Sequence, residues 1–295
     1  MTITLLDGGI GQEMVARAGD KPTPLWSTRA MMDHPGLLQG VHADYFAAGA
    51  DIATTNSYAI HRDRLAPDGL EHLFAPLHAA ALAEAQAARA AHGRGRIAGS
   101  IGPLGATYRP DMHPDLATSV PLYAEMVGIL SDGVDLILFE SVASLLHADA
   151  ALTAAEGQGR PVWLSVTLDD EDGTKLRSGE DVAGLLPLLS GRASAVLANC
   201  SAPEAMPAAL AIFARGDLPF GAYANGFTQI TKAFLASRPT SDTLTARRDM
   251  GPAAYADHAM RWIDQGATII GGCCETGPAH IAEIDARLRA AGLRA

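Results

Sequence analysis

A closed (β/α)8 barrel, an α/β TIM-barrel fold in one domain over residues 1–295, is the architecture this sequence predicts, and three observations carry the expectation. Short apolar runs rich in Ile, Val and Leu recur eight times. Alanine-rich stretches with helical spacing separate them. No linker, low-complexity tract or break in composition divides the chain. Continuous apolar strands belong to a parallel sheet covered by helices, and eight strand–helix units in 295 residues favour a closed barrel over an open doubly wound sheet.

The elements follow in order. TLLDGG (4–9) is the first strand. In PGLLQGVHADYFAAGA, from Pro35, Leu37, Val41 and Tyr45 fall four apart with Leu38 and Phe46 on the same face, so a helix is expected, with Asp33 as its N-cap and Gly49 as its stop. DIATTNSY (51–58) is the second strand. Helical spacing over 70–92 leads to RIAGSIG (96–102), and over 116–132 to DLILFES (135–141). The stretch 144–156 precedes PVWLSVTL (161–168), 181–190 precedes AVLANCS (195–201), and 203–214 precedes FGAYANG (220–226). Helices over 252–265 and 278–291 flank the eighth strand, TIIGGCC (268–274). The longest insertion, 227–251, reads as a lid or an oligomer contact, so a homo-oligomer is one expectation.

Composition bounds the partners. At 48% hydrophobic the chain can bury a large core. A formal charge of -11 without a Lys/Arg cluster argues against nucleic acid and for small molecules, because phosphate binding needs grouped cations. No run of about 18 apolar residues could span a bilayer, and MTITLLDGGIGQEM lacks a signal-peptide pattern, so no membrane partner and a cytoplasmic location are expected. The acidic run Asp169–Asp172 lacks the alternation of a calcium loop and reads as a solvated loop.

In such a barrel the chemistry sits at the C-terminal ends of the strands. Polar residues occupy those ends here: Asp7, Thr55 with Asn56, Ser100, Glu140, Asn199 with Cys200, Asn225, and Cys273 with Cys274. The chain has three cysteines, too few for a disulfide framework, and all three follow a strand-like apolar run. Strands six and eight are separated only by the seventh, so these thiols can meet at the mouth. Neighbouring strand residues point to opposite faces, so Cys273 and Cys274 can share a partner only where the backbone leaves strand geometry, a freedom Gly271 and Gly272 are expected to supply. Residue types alone leave three readings open: small buried hydrophobes, a vicinal redox pair, or three thiolates around one Zn2+ with its fourth position free. The last would suit thiol alkylation, because a metal holds a thiol as thiolate well below its free pKa of about 8.5.

The segments LDGGIGQEM, PLWSTRAMMDHPGLLQGVHADYFAAGADIATTNSY, IAGSIGP, ANCS and GGCCETGPAHI, in this order over nearly the whole chain, resemble the zinc-dependent homocysteine S-methyltransferases, in particular the stand-alone S-methylmethionine-type enzymes. The resemblance implies that Cys200, Cys273 and Cys274 bind Zn2+ and that homocysteine supplies the fourth ligand. It implies that Asp7 and Glu140 accept hydrogen bonds from the homocysteine amino group and that Gly8 and Thr55 line its carboxylate end, with Asn199 among the substrate-facing residues. Trp26 is the expected contact for a methyl donor, because sulfonium and quaternary ammonium cations bind aromatic faces; Tyr58 is a possible second wall. S-methylmethionine is the favoured donor, followed by S-adenosylmethionine, with betaine or another dimethylsulfonium compound as alternatives. Two positions depart from the family's usual pattern: Ala224, where proline is frequent, and Glu275, where Gly or Arg is common.

Overall fold

The structure is a computed structural model and describes residues 2–21, 23–228, 230, 234–235 and 244–294. Its strands are β1 (Thr4–Leu5), β2 (Ile52–Thr54), β3 (Arg96–Ile101), β4 (Leu136–Val142), β5 (Val162–Val166), β6 (Ala195–Asn199), β7 (Phe220–Tyr223) and β8 (Ile269–Ile270). They form one parallel sheet in the order β1-β8-β7-β6-β5-β4-β3-β2. Seven fall inside the apolar runs and β4 overruns its run by one residue, Val142, while each stretch with helical spacing contains a helix.

Parity along the strands divides the interior in two. Ala98, Leu136, Leu138, Ala195 and Leu197 pack together, whereas the alternate residues Ile97, Ile137, Phe139, Val196 and Ala198 join the larger core shared with the helices. Both faces are therefore dry, and β4, β5 and β6 are buried at every residue. Continuing the first series by two residues reaches Ser100, Glu140 and Asn199, so strand geometry alone carries these polar groups to the mouth.

The seam between β1 and β2 is closed differently. A single parallel bridge, Leu6 with Ile52, is helped by Asp51 N–H donating to the Leu5 carbonyl (2.7 Å) and Leu5 N–H donating to Asp51 Oδ2 (2.9 Å). Farther up, Thr54 N–H donates to Asp7 Oδ2 at 2.6 Å, a side-chain carboxylate taking the place of a backbone carbonyl.

Helices the sequence reading did not mark lie near the start: α1 (Ile10–Ala18) and α2 (Trp26–Asp33), which precede α3 (Leu37–Ala47). In α1, Ile10 and Met14, one turn apart, are the buried residues, so the apolar signal is two side chains wide. The expected capping role of Asp33 is not observed. Asp33 ends α2 and pairs with Arg29 at 2.6 Å, and α3 starts after Gly36, which has φ 87° and makes no side-chain cap bond. Among the described residues no helix is long and apolar enough to cross a membrane.

Candidate active site

The three cysteines converge. Cys200 Sγ lies 2.9 Å from Cys273 Sγ and 3.7 Å from Cys274 Sγ, and all three sulfurs fall within 4.8 Å of one another. None is in a disulfide, whose sulfurs would be about 2.05 Å apart. Tetrahedral coordination with bonds of about 2.3 Å sets neighbouring sulfurs roughly 3.8 Å apart, so small rotations suffice to fit this donor set to one metal ion. The thiols also hydrogen-bond to one another: bonds from Cys273 and Cys274 hold Cys200 well below the ordinary thiol range, and donating to Cys200 pushes the other two up.

The backbone bends that aim these sulfurs differ from the sequence expectation. β8 ends at Ile270, and the left-handed residue beyond it is Glu275 (φ 64°), while Gly271 and Gly272 are not left-handed. Those glycines are needed for room: a Cβ on Gly272 would lie 2.0 Å from Thr276 Oγ1, and one on Gly271 2.6 Å from the Leu6 Cβ. Cys200 is itself left-handed (φ 51°), so its Sγ leaves the plane of β6 toward the other two.

Beside the sulfurs lie two buried carboxyl groups. Asp7 accepts from Thr54 N–H and from Thr54 Oγ1 (3.0 Å). Burial nevertheless raises its pKa well above the usual range, and the charge of Glu140 adds to the effect. Glu140 accepts from Ser100 Oγ and, at 2.8 Å, from the Tyr223 hydroxyl, and burial pushes it up to about 7. Two such groups facing one cavity, each poor at carrying charge alone, suit a cationic guest that makes ionisation favourable. Gly8 forms the adjoining wall and has no space for a side chain, since a Cβ would come within 2.2 Å of the Thr276 carbonyl oxygen.

Thr55 and Asn199 also line the cavity but are already engaged. Thr55 Oγ1 accepts from Ser100 N–H at 3.0 Å and bonds Ser57 Oγ. Asn199 Oδ1 accepts from Ser141 N–H and Ser165 Oγ, both at 2.9 Å, while its Nδ2 donates to Ser141 Oγ. Asn199 thus fastens the turn after Glu140. Asn225 does not line the cavity; its Oδ1 accepts from Phe227 N–H within its own turn.

An aromatic wall lines the same cavity and packs in one cluster with the three cysteines. Trp26 lies nearly parallel to Tyr58 (centroids 6.3 Å apart, interplanar angle 13°) and stacks on Phe234 at 5.8 Å; Phe234 in turn meets Tyr108. Phe234 comes from the 227–251 insertion, whose base pairs Phe227 with Ala246. Positions 229, 231–233 and 236–243 of the expected lid or oligomer contact lie outside the described residues. The departures named above sit close by: Glu275 Oε1 accepts from Gln12 Nε2 at 2.5 Å, and the Ala224 carbonyl accepts from Cys273 N–H at 3.0 Å.

Among the described residues, five non-glycines adopt positive φ: Trp26, Tyr108, Ser141, Cys200 and Glu275. Four line this cavity and the fifth follows Cys274. Each costs of order 1–3 kcal/mol, so the fold concentrates its backbone strain where side chains must be aimed. Sequence reasoning missed Tyr108, Tyr223, Ser141 and Phe234: Tyr108 and Phe234 lie outside the apolar runs, and within their runs Ser141 and Tyr223 are overshadowed by the neighbouring Glu140 and Asn225.

Comparison with known proteins gives a consistent result. The family described as homocysteine S-methyltransferase matches residues 4–288. The chain is 32% identical to the homocysteine S-methyltransferase of Escherichia coli (strain K12), over 97% of this chain and 95% of that one. It is 30% identical to homocysteine S-methyltransferase 4 of Zea mays, with 97% and 90% covered. The crystal structure of the homocysteine methyltransferase MmuM from E. coli in its metallated form superposes with a TM-score of 0.82 at 30% identity, covering 97% of this chain and 96% of that one.

Proposed function

The chain belongs to the homocysteine S-methyltransferase family, and we propose that this methyltransferase is a single barrel domain over 1–295 that uses zinc and takes its methyl group from a sulfonium donor, S-methylmethionine first and S-adenosylmethionine next. The observation that carries the reading is the meeting of three cysteine sulfurs beside two buried carboxyl groups and an aromatic wall. Soft thiolate donors suit zinc, which would be held by Cys200, Cys273 and Cys274 and would keep the acceptor thiol ionised at neutral pH.

The chain's own residues supply the rest. Asp7 and Glu140 receive the α-ammonium of homocysteine, whose charge offsets the cost of ionising carboxyls in a dry site. Gly8 and Thr55 bound the carboxylate end. Trp26, with Tyr58 beside it, holds the onium group of the donor. The acceptor sulfur attacks the methyl carbon in line; the new C–S bond forms as the donor's C–S bond breaks, and its electron pair leaves with a neutral thioether. Opposite charges vanish in this step, so an apolar wall favours it over open water. Alignment of the two reactants is worth about 7–11 kcal/mol in such reactions. A cytoplasmic location fits these small-molecule substrates.

The test is zinc quantification on the purified protein together with methionine formation from homocysteine and a panel of S-methylmethionine, S-adenosylmethionine and betaine. One zinc per chain and turnover with a sulfonium donor are expected. Full activity after chelation would point to a cysteine nucleophile, and zinc and homocysteine binding without turnover on any donor would point to a sensor. Trp26→Ala is expected to raise the donor KM about 2- to 30-fold, the equivalent of a cation–π contact of about 0.5–2 kcal/mol, and to leave the homocysteine KM within twofold. Equal changes in both constants would remove Trp26 from the donor site.

A further inference from the structure

Cys200 sits in a turn that its own backbone does not favour, and that turn is held by Tyr108 from the cavity wall and by Asp170 and Arg177 from behind it. The Cys200 carbonyl accepts from the Tyr108 hydroxyl at 2.9 Å. Two residues on, Ala202 N–H donates to Asp170 Oδ1 at 2.8 Å. Arg177 joins these two supports. Its Nη2 donates to Asp170 Oδ2 at 2.7 Å, and its guanidinium carbon lies 5.0 Å from the centre of the Tyr108 ring. The pair is well covered, with side-chain exposures of 15% for Arg177 and 28% for Asp170. The acidic run expected to be only a solvated loop therefore contributes one residue to the site's scaffold.

We propose that Arg177 is a positioning residue for the metal ligand Cys200: anchored by Asp170, it fixes the ring of Tyr108, whose hydroxyl holds the Cys200 carbonyl so that Sγ faces Cys273 and Cys274. The geometry supports a joint function. Tyr108 is left-handed (φ 62°), and so is Cys200, so neither would keep its conformation without tertiary contacts. Arg177 reaches one through its ring and the other's turn through Asp170, and Arg177 N–H donates to the Thr167 carbonyl, which places the arginine at the end of β5 beside β6. Outer partners that orient a metal ligand commonly carry about 10- to 100-fold in affinity. Arg177 reaches Cys200 through Tyr108 alone on one side, and on the other through Asp170 and the Ala202 amide two residues on. The inference rests on the zinc reading above.

The experiment measures the zinc dissociation constant by competition with a chromophoric chelator, on the full-length protein and without substrates, for wild type, Arg177→Met, Arg177→Lys, Tyr108→Phe and the Arg177→Met/Tyr108→Phe double variant. Arg177→Met is expected to weaken zinc about 10-fold or more, and Arg177→Lys, which keeps a cation over the ring and a donor for Asp170, to recover at least a third of the loss on a logarithmic scale. The double variant is expected to bind zinc less weakly than the product of the two single effects, because both act on one turn. Cobalt substitution gives a second readout: the thiolate-to-metal absorption band shifts in Arg177→Met if the Cys200 bond is altered. Zinc affinity within twofold of wild type in Arg177→Met overturns the proposal, as does strict multiplicativity in the double variant, and if Arg177→Met does not fold, the Lys and Phe variants decide by the same criteria. A wild-type protein that binds no zinc overturns the metal reading itself, which separates that failure from this one.

Discussion

Cys273→Ser is expected to abolish stoichiometric zinc binding and to lower methionine formation by more than about 100-fold, beyond the range that losing an outer partner of a metal ligand costs. A serine hydroxyl keeps its proton at neutral pH where a metal-bound thiol gives it up, so the substitution removes one of three anionic donors and leaves two sulfurs 3.7 Å apart. Cys273 is only partly buried, and serine matches it in size, so the fold is expected to survive with a melting temperature close to wild type. Metal analysis and single-turnover assays on the same preparation check the result. A folded Cys273→Ser protein with full zinc and full turnover would remove the metal centre from the mechanism.

The second large effect belongs to Glu140. Its carboxyl titrates at about 7, and ionised it is the form that holds an ammonium group, so the homocysteine KM is expected to fall as pH rises from 6 to 8. Glu140→Gln removes a charge-assisted hydrogen bond worth about 1.5–3 kcal/mol, which predicts a loss of about 10- to 150-fold in kcat/KM for homocysteine and the disappearance of that inflection. Thiol ionisation adds a pH dependence that the variant keeps, so the two profiles, measured side by side, isolate the carboxyl. Stability of the ligand-free protein runs the opposite way. A carboxyl whose folded-state pKa is raised favours the native state below its unfolded value of 4.5, and that contribution is lost as pH rises through about 7, an effect of about 3 kcal/mol. Asp7, raised by the same cause, adds to it with the same sign. Urea titrations at pH 5 and 8 on wild type and Glu140→Gln check this; equal pH slopes in the two proteins would mean that Glu140 is ionised throughout.

Much of this was legible in the sequence because parallel strands buried on both faces write themselves as unbroken apolar runs, and because a polar residue directly after such a run has one place to go. Glu140 follows Leu136 and Leu138 by parity, and Cys200 follows AVLAN, so both were found from the chain alone. Other parts left no such trace. Helix α1 buries Ile10 and Met14 only, too little for periodicity to detect. Tyr108 and Phe234 reach the site from loops, and their place depends on what they stack against. The bend after β8 was assigned to its two glycines because glycine is where left-handed backbone is usually found, yet tertiary contacts impose it on Glu275, whose carboxylate is held by Gln12 from α1. Asp33 shows the same limit: a capping residue type in the right position is drawn off by Arg29, one turn earlier in α2.

Asp7 has two employments. In the proposed function the carboxylate that closes the barrel wall against Thr54 is also the one that receives the substrate ammonium, whose charge would favour its ionised form and so strengthen the bonds that lace the first and second strands together. Occupancy of the pocket and tightness of that lacing become a single equilibrium, and the Thr54 amide, which ought to exchange its proton more slowly once the acceptor is in place, serves as its natural reporter.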